Sequence, residues 1–302
     1  MRNSVANTVF EYCKKNRDGF LITGDAGFGV WDNFQKELPD QYLNPGINEQ
    51  ATIGMAAGMS LSNHKVFVYN IIPFVLYRCY EQVRNDVCYQ NLPMVLLGIG
   101  SGITYAPAGM THYAVEDIAL AKTMPNLTIF SPSDSIQAKK AVEYAIKATN
   151  PVYIRIAKAG EPTLFDDEID IEKLCFLRKE GDIAIIFHGS ISDEVIAAAN
   201  ILESEGYKVA LVSAVKINID DTSEYQILFD RYEKVFVVEE HYESGGLGTS
   251  LQEAGFNPVK IAIKNHFLHD VGNSKFLRRI YEIDGEGIAN TIRKKLCTNL
   301  AK

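Results

Sequence analysis

No run of apolar residues in this chain approaches the roughly 18 that a membrane span requires. The opening MRNSVANTVFEYCKKNRDGF scatters charge through its length and lacks the apolar centre of a signal peptide. Cysteine is sparse: Cys13, Cys79, Cys88, Cys175 and Cys297 make five, without CxxC spacing. An odd number so spaced predicts free thiols in a reducing cytoplasm, neither a disulfide framework nor a zinc knuckle. Positive charge is in deficit, with 30 Lys and Arg against 38 Asp and Glu for a net −8. That balance argues against a nucleic-acid surface and against an anionic membrane. HExxH and EF-hand patterns are missing, so the sequence offers no metal site of its own. HGSIS, from His188 to Ser192, lacks the second glycine of a nucleophile elbow, which speaks against a serine hydrolase. Short-period repeats and low-complexity tracts are also missing.

What is present is an ordinary apolar and charged fraction spread over 302 residues, enough for two domains that each bury a core. Helical spacing at 3–16 precedes a strand at 19–23, and a helix from Glu49 precedes a strand at 65–69. A helix over 74–89, a strand at 94–97 and an irregular loop over 98–113 follow. A short helix to Lys122, a strand at 127–130, a helix opened by Ser131-Pro132-Ser133-Asp134 and a strand at 152–156 close the first half. Polar, acidic residues up to 181 read as a linker with one strand near 175–177. The alternation then restarts, with strands at 182–187, 208–213, 234–239 and 259–263 and helices at 192–205, 247–254 and 285–295. The predicted fold class is α/β in two domains, each a mainly parallel sheet flanked by helices. The expected boundaries are 1–157, a linker at 158–181, and 182–302.

The stretch 44–70, NPGINEQATIGMAAGMSLSNHKVFVYN, carries the most information. Asn44, Pro45 and Gly46 make a turn, and Glu49 stands where a helix begins. Ala51, Gly54, Met55, Gly58 and Met59 recur at helical spacing, which predicts one buried face. Glycine within a helix costs about 1 kcal/mol relative to alanine, so two on one face imply close packing against another backbone. Taken alone, Glu49 is most simply an acidic residue placed to suit the helix dipole. GDAGFG, at 24–29, has the wrong glycine spacing for a dinucleotide loop. Gly98-Ile99-Gly100-Ser101-Gly102 lies at the end of a predicted strand, where open α/β sheets place ligands, although a plain turn accounts for it equally well. His112 ends the long loop just before a helix, a fair place for an acid/base group, since imidazole exchanges protons near neutral pH.

NPGINEQATIGMAAGMSLS, PFVLYRCYEQVRNDV, GMTHYAVEDIALAKTMPNLTIFSPSD and PVYIRIAK stand in the order and spacing of transketolases. The first half resembles their pyrimidine-binding domain. The second, with DIAIIFHGS and VVEEHYESGGLG, is similar to their C-terminal domain. The resemblance implies thiamine diphosphate as cofactor and transfer of a two-carbon ketol unit from a ketose donor to an aldose acceptor. Glu49 then matches the glutamate that hydrogen-bonds N1′ of the aminopyrimidine and favours the tautomer that deprotonates C2 of the thiazolium. His112 matches a histidine at the substrate hydroxyls. Arg155, with Lys158 nearby, matches a phosphate-binding arginine. The segment from Pro73 to Arg84 matches the helix that walls the pyrimidine; Val75 falls on the usual stacking phenylalanine, leaving Phe74 as the preferred aromatic, Tyr77 as a substitute and Arg78 as a further cofactor contact.

Two departures matter. The GDG…N motif that holds the diphosphate through Mg²⁺ or Ca²⁺ is missing; the nearest triplets are Gly24-Asp25-Ala26 and Gly181-Asp182-Ile183. The chain therefore resembles the C-terminal subunit of a split transketolase, with a separately encoded N-terminal subunit supplying that site in an α2β2 assembly that contains a homodimer of this chain. Ala108 replaces the aspartate that often reads the substrate's 2-hydroxyl, so the sugar, phosphorylated or nucleotide-linked, stays open. Two other readings remain at this point: the β subunit of a 2-oxoacid dehydrogenase E1 component, and a catalytically silent scaffold.

Overall fold

The computed structural model describes residues 1–158 and 160–297; Ala159 in the expected linker and the last five residues of the expected second domain lie outside the described residues. In chain order the first half contains α1 (Arg2–Lys15), β1 (Gly19–Thr23), α2 (Asp32–Glu37), β2 (Tyr42–Leu43), α3 (Glu49–Leu61) and β3 (Lys65–Ile71). A helix from Pro73 to Cys88 follows, made of two π segments around α4 (Tyr80–Gln82). Then come β4 (Val95–Ile99), α5 (Asp117–Lys122), β5 (Thr128–Phe130), α6 (Ser135–Lys147) and β6 (Val152–Ile156). The second half contains β7 (Leu174–Arg178), β8 (Ile183–Phe187), α7 (Ser192–Ser204), β9 (Val209–Ala214), α8 (Ser223–Arg231) and β10 (Lys234–Tyr242). It ends with α9 (Leu247–Glu253), β11 (Val259–Ile263), α10 (Ser274–Ile280) and α11 (Gly285–Cys297).

The first sheet has six parallel strands in the order β2-β1-β3-β4-β6-β5. Both faces are covered, which explains the near-continuous apolar runs of its strands. One face packs against α3, the 73–88 helix and α5 through Ile53, Val75, Leu76 and Ile118; the other packs against α1 and α6 through Val5, Val9 and Val142, with Trp31 from the start of α2 in the same cluster. The second sheet has five strands in the order β11-β10-β8-β9-β7, and only β7 runs antiparallel. The α/β class with two mainly parallel sheets is as the sequence predicts. The short edge strand β2 and helices α2, α8 and α10 were not expected; the first is too brief for a periodic signal, and the helices are only six to nine residues long.

Asp134 caps α6, its Oδ1 accepting from the Gln137 amide at 2.8 Å, while its Oδ2 accepts from Leu164 and Phe165 at 2.8 and 2.9 Å. One cap thus also pins the linker. The domains meet on buried polar groups. His188 bridges Ser131 of the first domain (Nδ1 to Oγ, 2.9 Å) and Glu239 of the second (Nε2 to Oε2, 3.1 Å). Burial alone would raise the Glu239 carboxyl, but His188, His241 and the Gly248 amide outweigh it and hold the group at about 2.

One prediction reverses. The face of α3 that packs inward is Thr52, Ile53, Ala56, Ala57 and Ser60, whereas Ala51, Gly54, Met55 and Gly58 are exposed. A methyl group added at Gly54 or Gly58 would meet nothing within 4 Å among the described residues. The small-residue stripe is therefore an outer surface of this chain, and both faces of α3 are apolar enough for spacing alone to select the wrong one.

Candidate active site

Three adjacent parallel strands, β3, β4 and β6, deliver the candidate residues from their carboxyl ends, where open α/β sheets place ligands. β3 leads into the helix carrying Phe74 and Arg78, β4 into the loop carrying His112, and β6 into Lys158. Glu49 comes from the side. The Asn44 side chain accepts from the Gly46 amide at 2.9 Å, and Gly46 takes φ +78°, a conformation that strains any residue with a Cβ. This turn aims the chain so that α3 starts at Glu49, which is buried.

The carboxylate does not stand alone. Arg78 Nη1 lies 2.8 Å from Glu49 Oε2, and the same guanidinium sits over the Phe74 ring, 4.5 Å from its centroid. Gln50 Nε2 donates to the Arg78 carbonyl at 3.2 Å, tying the start of α3 to this helix. Phe74 meets His112 edge to face, with centroids 5.3 Å apart. His112 also lies 6.2 Å from the Tyr105 ring, over which Lys158 Nζ sits at 4.8 Å. Glu49, Arg78, Phe74, His112, Tyr105 and Lys158 thus form one continuous row of contacts. Tyr105 was not anticipated; an aromatic side chain inside a glycine-rich loop was the only available signal.

Backbone geometry decides which aromatic joins the row. The Arg78 amide bonds the Pro73 carbonyl at 3.0 Å, five residues back. A turn closed on the fifth residue keeps Phe74 beneath Arg78 and swings Val75 into the core, where it is buried with Leu76 and Ile72. The one-residue offset in the sequence is absorbed by a π turn, and π turns recur at functional sites.

Two expected site residues point elsewhere. Arg155 is fully buried and takes no part in the row. Its Nε donates to Asp117 Oδ2 at 2.8 Å, and its Nη2 reaches the carbonyls of Ala114 and Glu240, both at 2.9 Å. A guanidinium so enclosed has no surface on which to receive a phosphate; it joins the two domains. Tyr77 has a buried hydroxyl, and burial together with the charges of Asp117 and Glu116 pushes its phenol well above the ordinary range. That ring faces the start of α5, not Glu49. Ala108 is exposed in a short turn and offers no polar group.

Comparison with known proteins fixes the family. Residues 1–160 match the pyrimidine-binding domain of transketolase, and residues 172–288 match its C-terminal domain. A protein of Actinobacillus succinogenes, named as one of the subunits of an apulose-4-phosphate transketolase, is 33% identical over 265 residues, covering 85% of each chain. The chain belongs to the transketolase family. A second protein of that name, from Phocaeicola vulgatus, is 31% identical over 96% of this chain and 95% of its own. A solved structure described as a split gene transketolase, inactive beta4 tetramer, superposes with a TM-score of 0.85 at 27% identity, covering 97% of both chains. A transketolase mutant of Pichia stipitis shares the fold, with a TM-score of 0.83 at 18% identity, covering 100% of this chain and 46% of that one. This transketolase-family subunit is thus a thiamine-diphosphate-dependent transferase and one part of a split enzyme. Among its described residues no helix is long and apolar enough to cross a membrane.

Proposed function

We propose that this chain is the C-terminal subunit of a two-component transketolase that moves a two-carbon ketol unit from a ketose phosphate to an aldose acceptor, and that it acts only with a separately encoded N-terminal subunit. The observation that carries the reading is the row from Glu49 to Lys158. An aminopyrimidine needs a carboxylate for a ring nitrogen and a flat apolar surface to lie against, and Glu49 and Phe74 supply both within the reach of one side chain, Arg78. Thiamine diphosphate, when bound, supplies the nucleophilic carbon that carries the ketol unit. Glu49 holds the proton at the cofactor's N1′, Phe74 supports the ring, and Arg78 orients the carboxylate. His112, across from Phe74, holds or moves a proton at the substrate hydroxyls. Lys158, exposed at the far end, supplies a point charge for a phosphate. Mg²⁺ or Ca²⁺ and the diphosphate belong to the partner, since this sequence contains no GDG. Two relatives named for apulose-4-phosphate support a ketose phosphate donor. Ala108 leaves the donor's 2-hydroxyl without a carboxylate reader.

Reconstitution tests this reading. Mixed with an N-terminal transketolase subunit that carries GDG…N, plus thiamine diphosphate and Mg²⁺, the chain is expected to transfer a ketol unit, and neither component to do so alone. Turnover of a 2-oxoacid with an electron acceptor, and none of any ketose, would overturn it.

The open stripe of α3 is assigned to a second copy of this chain within an α2β2 assembly. Self-association of the similar chain described as a beta4 tetramer supports that occupant. Gly58→Leu is expected to leave the fold intact, because Gly58 is exposed and a Cβ added there would meet nothing within 4 Å among the described residues, and to shift the protein toward monomer in light scattering. An unchanged oligomeric state would remove the stripe from the interface.

A further inference from the structure

The loop that carries His112 leaves β4 of the first domain, yet it packs into the second. Ile103, Ala106, Tyr113 and Val115 are buried in one cluster with Ile185, Phe187, Val238 and Leu268. The loop's own structure is slight, two short 3₁₀ turns and glycines at 100, 102 and 109 with positive φ. Its neck is closed by paired backbone bonds between Gly102 and Ala114 of 3.0 and 2.8 Å. The first domain adds the Ile156 carbonyl under Gly100 and Ser101 and the Arg155 guanidinium on the Ala114 carbonyl, and the middle of the loop takes most of its remaining support from across the domain boundary.

Glu240, on β10, is the centre of that support and is fully buried. Its Oε1 accepts from the Ile103 amide at 3.4 Å and from Arg278 Nε at 3.2 Å. Its Oε2 accepts from Ser190 Oγ at 2.5 Å and from Arg278 Nη2 at 3.1 Å. Gly102 rests on the same side chain so closely that a Cβ there would come within 2.5 Å of Glu240 Cγ. The Glu240 carbonyl accepts from Arg155 Nη2, which also holds the Ala114 carbonyl at the other side of the neck. Ser274 Oγ donates to the Ile103 carbonyl at 3.3 Å. The Tyr113 hydroxyl reaches the carbonyls of Ala106 at 2.8 Å and Asp270 at 3.4 Å.

A buried ion pair is a weak source of stability, since desolvation offsets the attraction and apolar residues of similar volume do as well. What a carboxylate adds is direction: fixed acceptors aimed at a loop backbone. We propose that the second domain is the scaffold of the His112 loop and that Glu240, held by Arg278 and Ser190, is a positioning residue for the transfer reaction. The proposal rests on the reading of His112 given above. Displacing a catalytic group by about 1 Å can cost about 10²-fold in rate, and a loop without regular structure needs such outside support.

The test uses the full chain, alone and reconstituted with its partner. In Glu240→Gln, backbone amides over 103–113 are expected to exchange with deuterium about ten-fold faster or more, while those of β8 and β10 keep their protection. In the assembled enzyme kcat falls about ten-fold or more with unchanged apparent affinity for thiamine diphosphate, because Glu49 and Phe74 sit on first-domain elements. Ser274→Ala, a partly exposed position that folds in any case, shows the same loop-confined change at smaller size and decides alone if Glu240→Gln does not fold. Wild-type exchange of the loop overturns the proposal, as does a loss of protection spread evenly over the second domain. Should the assembled protein transfer no ketol unit, the exchange result still decides the scaffold; transfer with an unaltered loop rejects the scaffold alone.

Discussion

Replacing Glu49 by Gln is expected to lower kcat of the reconstituted enzyme by about 10²–10⁴-fold, the usual loss when a group that holds a proton in the reaction is removed. The fold should not notice. Glu49 is buried, but its partner Arg78 is half exposed, so a guanidinium left without its carboxylate is rehydrated and no unpaired charge stays buried. Gln keeps the volume and one acceptor oxygen, so Phe74 and Arg78 retain their places, and only the charge that stabilises a proton on a ring nitrogen is lost. Steady-state ketol transfer and urea unfolding, measured on the same preparation, separate the two effects. Turnover at the wild-type rate would remove Glu49 from the chemistry, and with it the reading of the whole row.

Arg155→Met is expected to do the reverse: destabilise the chain by about 3–5 kcal/mol, the cost of leaving the partner charge buried without compensation. Asp117 and Arg155 are both fully buried, with Nε to Oδ2 at 2.8 Å, and Tyr153 donates to the same carboxylate oxygen at 2.8 Å. Burial by itself lowers the guanidinium's hold on its proton, but Asp117 and Tyr153 more than restore it. Removing Asp117 as well, in an Asp117→Asn/Arg155→Met double variant, should recover part of the loss, because residues of one network are not additive. Urea midpoints of the single variants Asp117→Asn and Arg155→Met and of the double variant measure this coupling. A phosphate-binding arginine would behave otherwise, with a raised KM for a phosphorylated donor and an unaltered midpoint. That outcome would return Arg155 to the substrate.

These two residues mark how much of the site was legible in the sequence. The helix start at Glu49 could be read because its surroundings are local, the turn from Asn44 and the start of α3 occupying six consecutive residues; the role assigned to its carboxylate rests on the resemblance. Phe74 could be favoured over Val75, but the reason lay in a π turn, and hydrogen-bond register is not encoded by periodicity. Arg155 matched its sequence context, yet Asp117 and Glu240 close around it from 38 and 85 residues away. Tyr77 failed for the same cause, its ring being turned toward α5 by the helix that holds Phe74 outward.

By itself the sequence determined the class of fold, the order of its longer strands and helices along the chain, and the place of an acidic residue at the start of α3. Each of these follows from spacing over a few neighbouring residues, where local propensity and apolar period act directly. Tertiary structure alone decided which face of α3 stays open, which arginine turns inward, and that the His112 loop belongs by packing to the second domain. Those outcomes depend on side chains that meet across tens to well over a hundred residues of chain, and burial, which selects among alternatives that look equal in sequence, exists only once they have met.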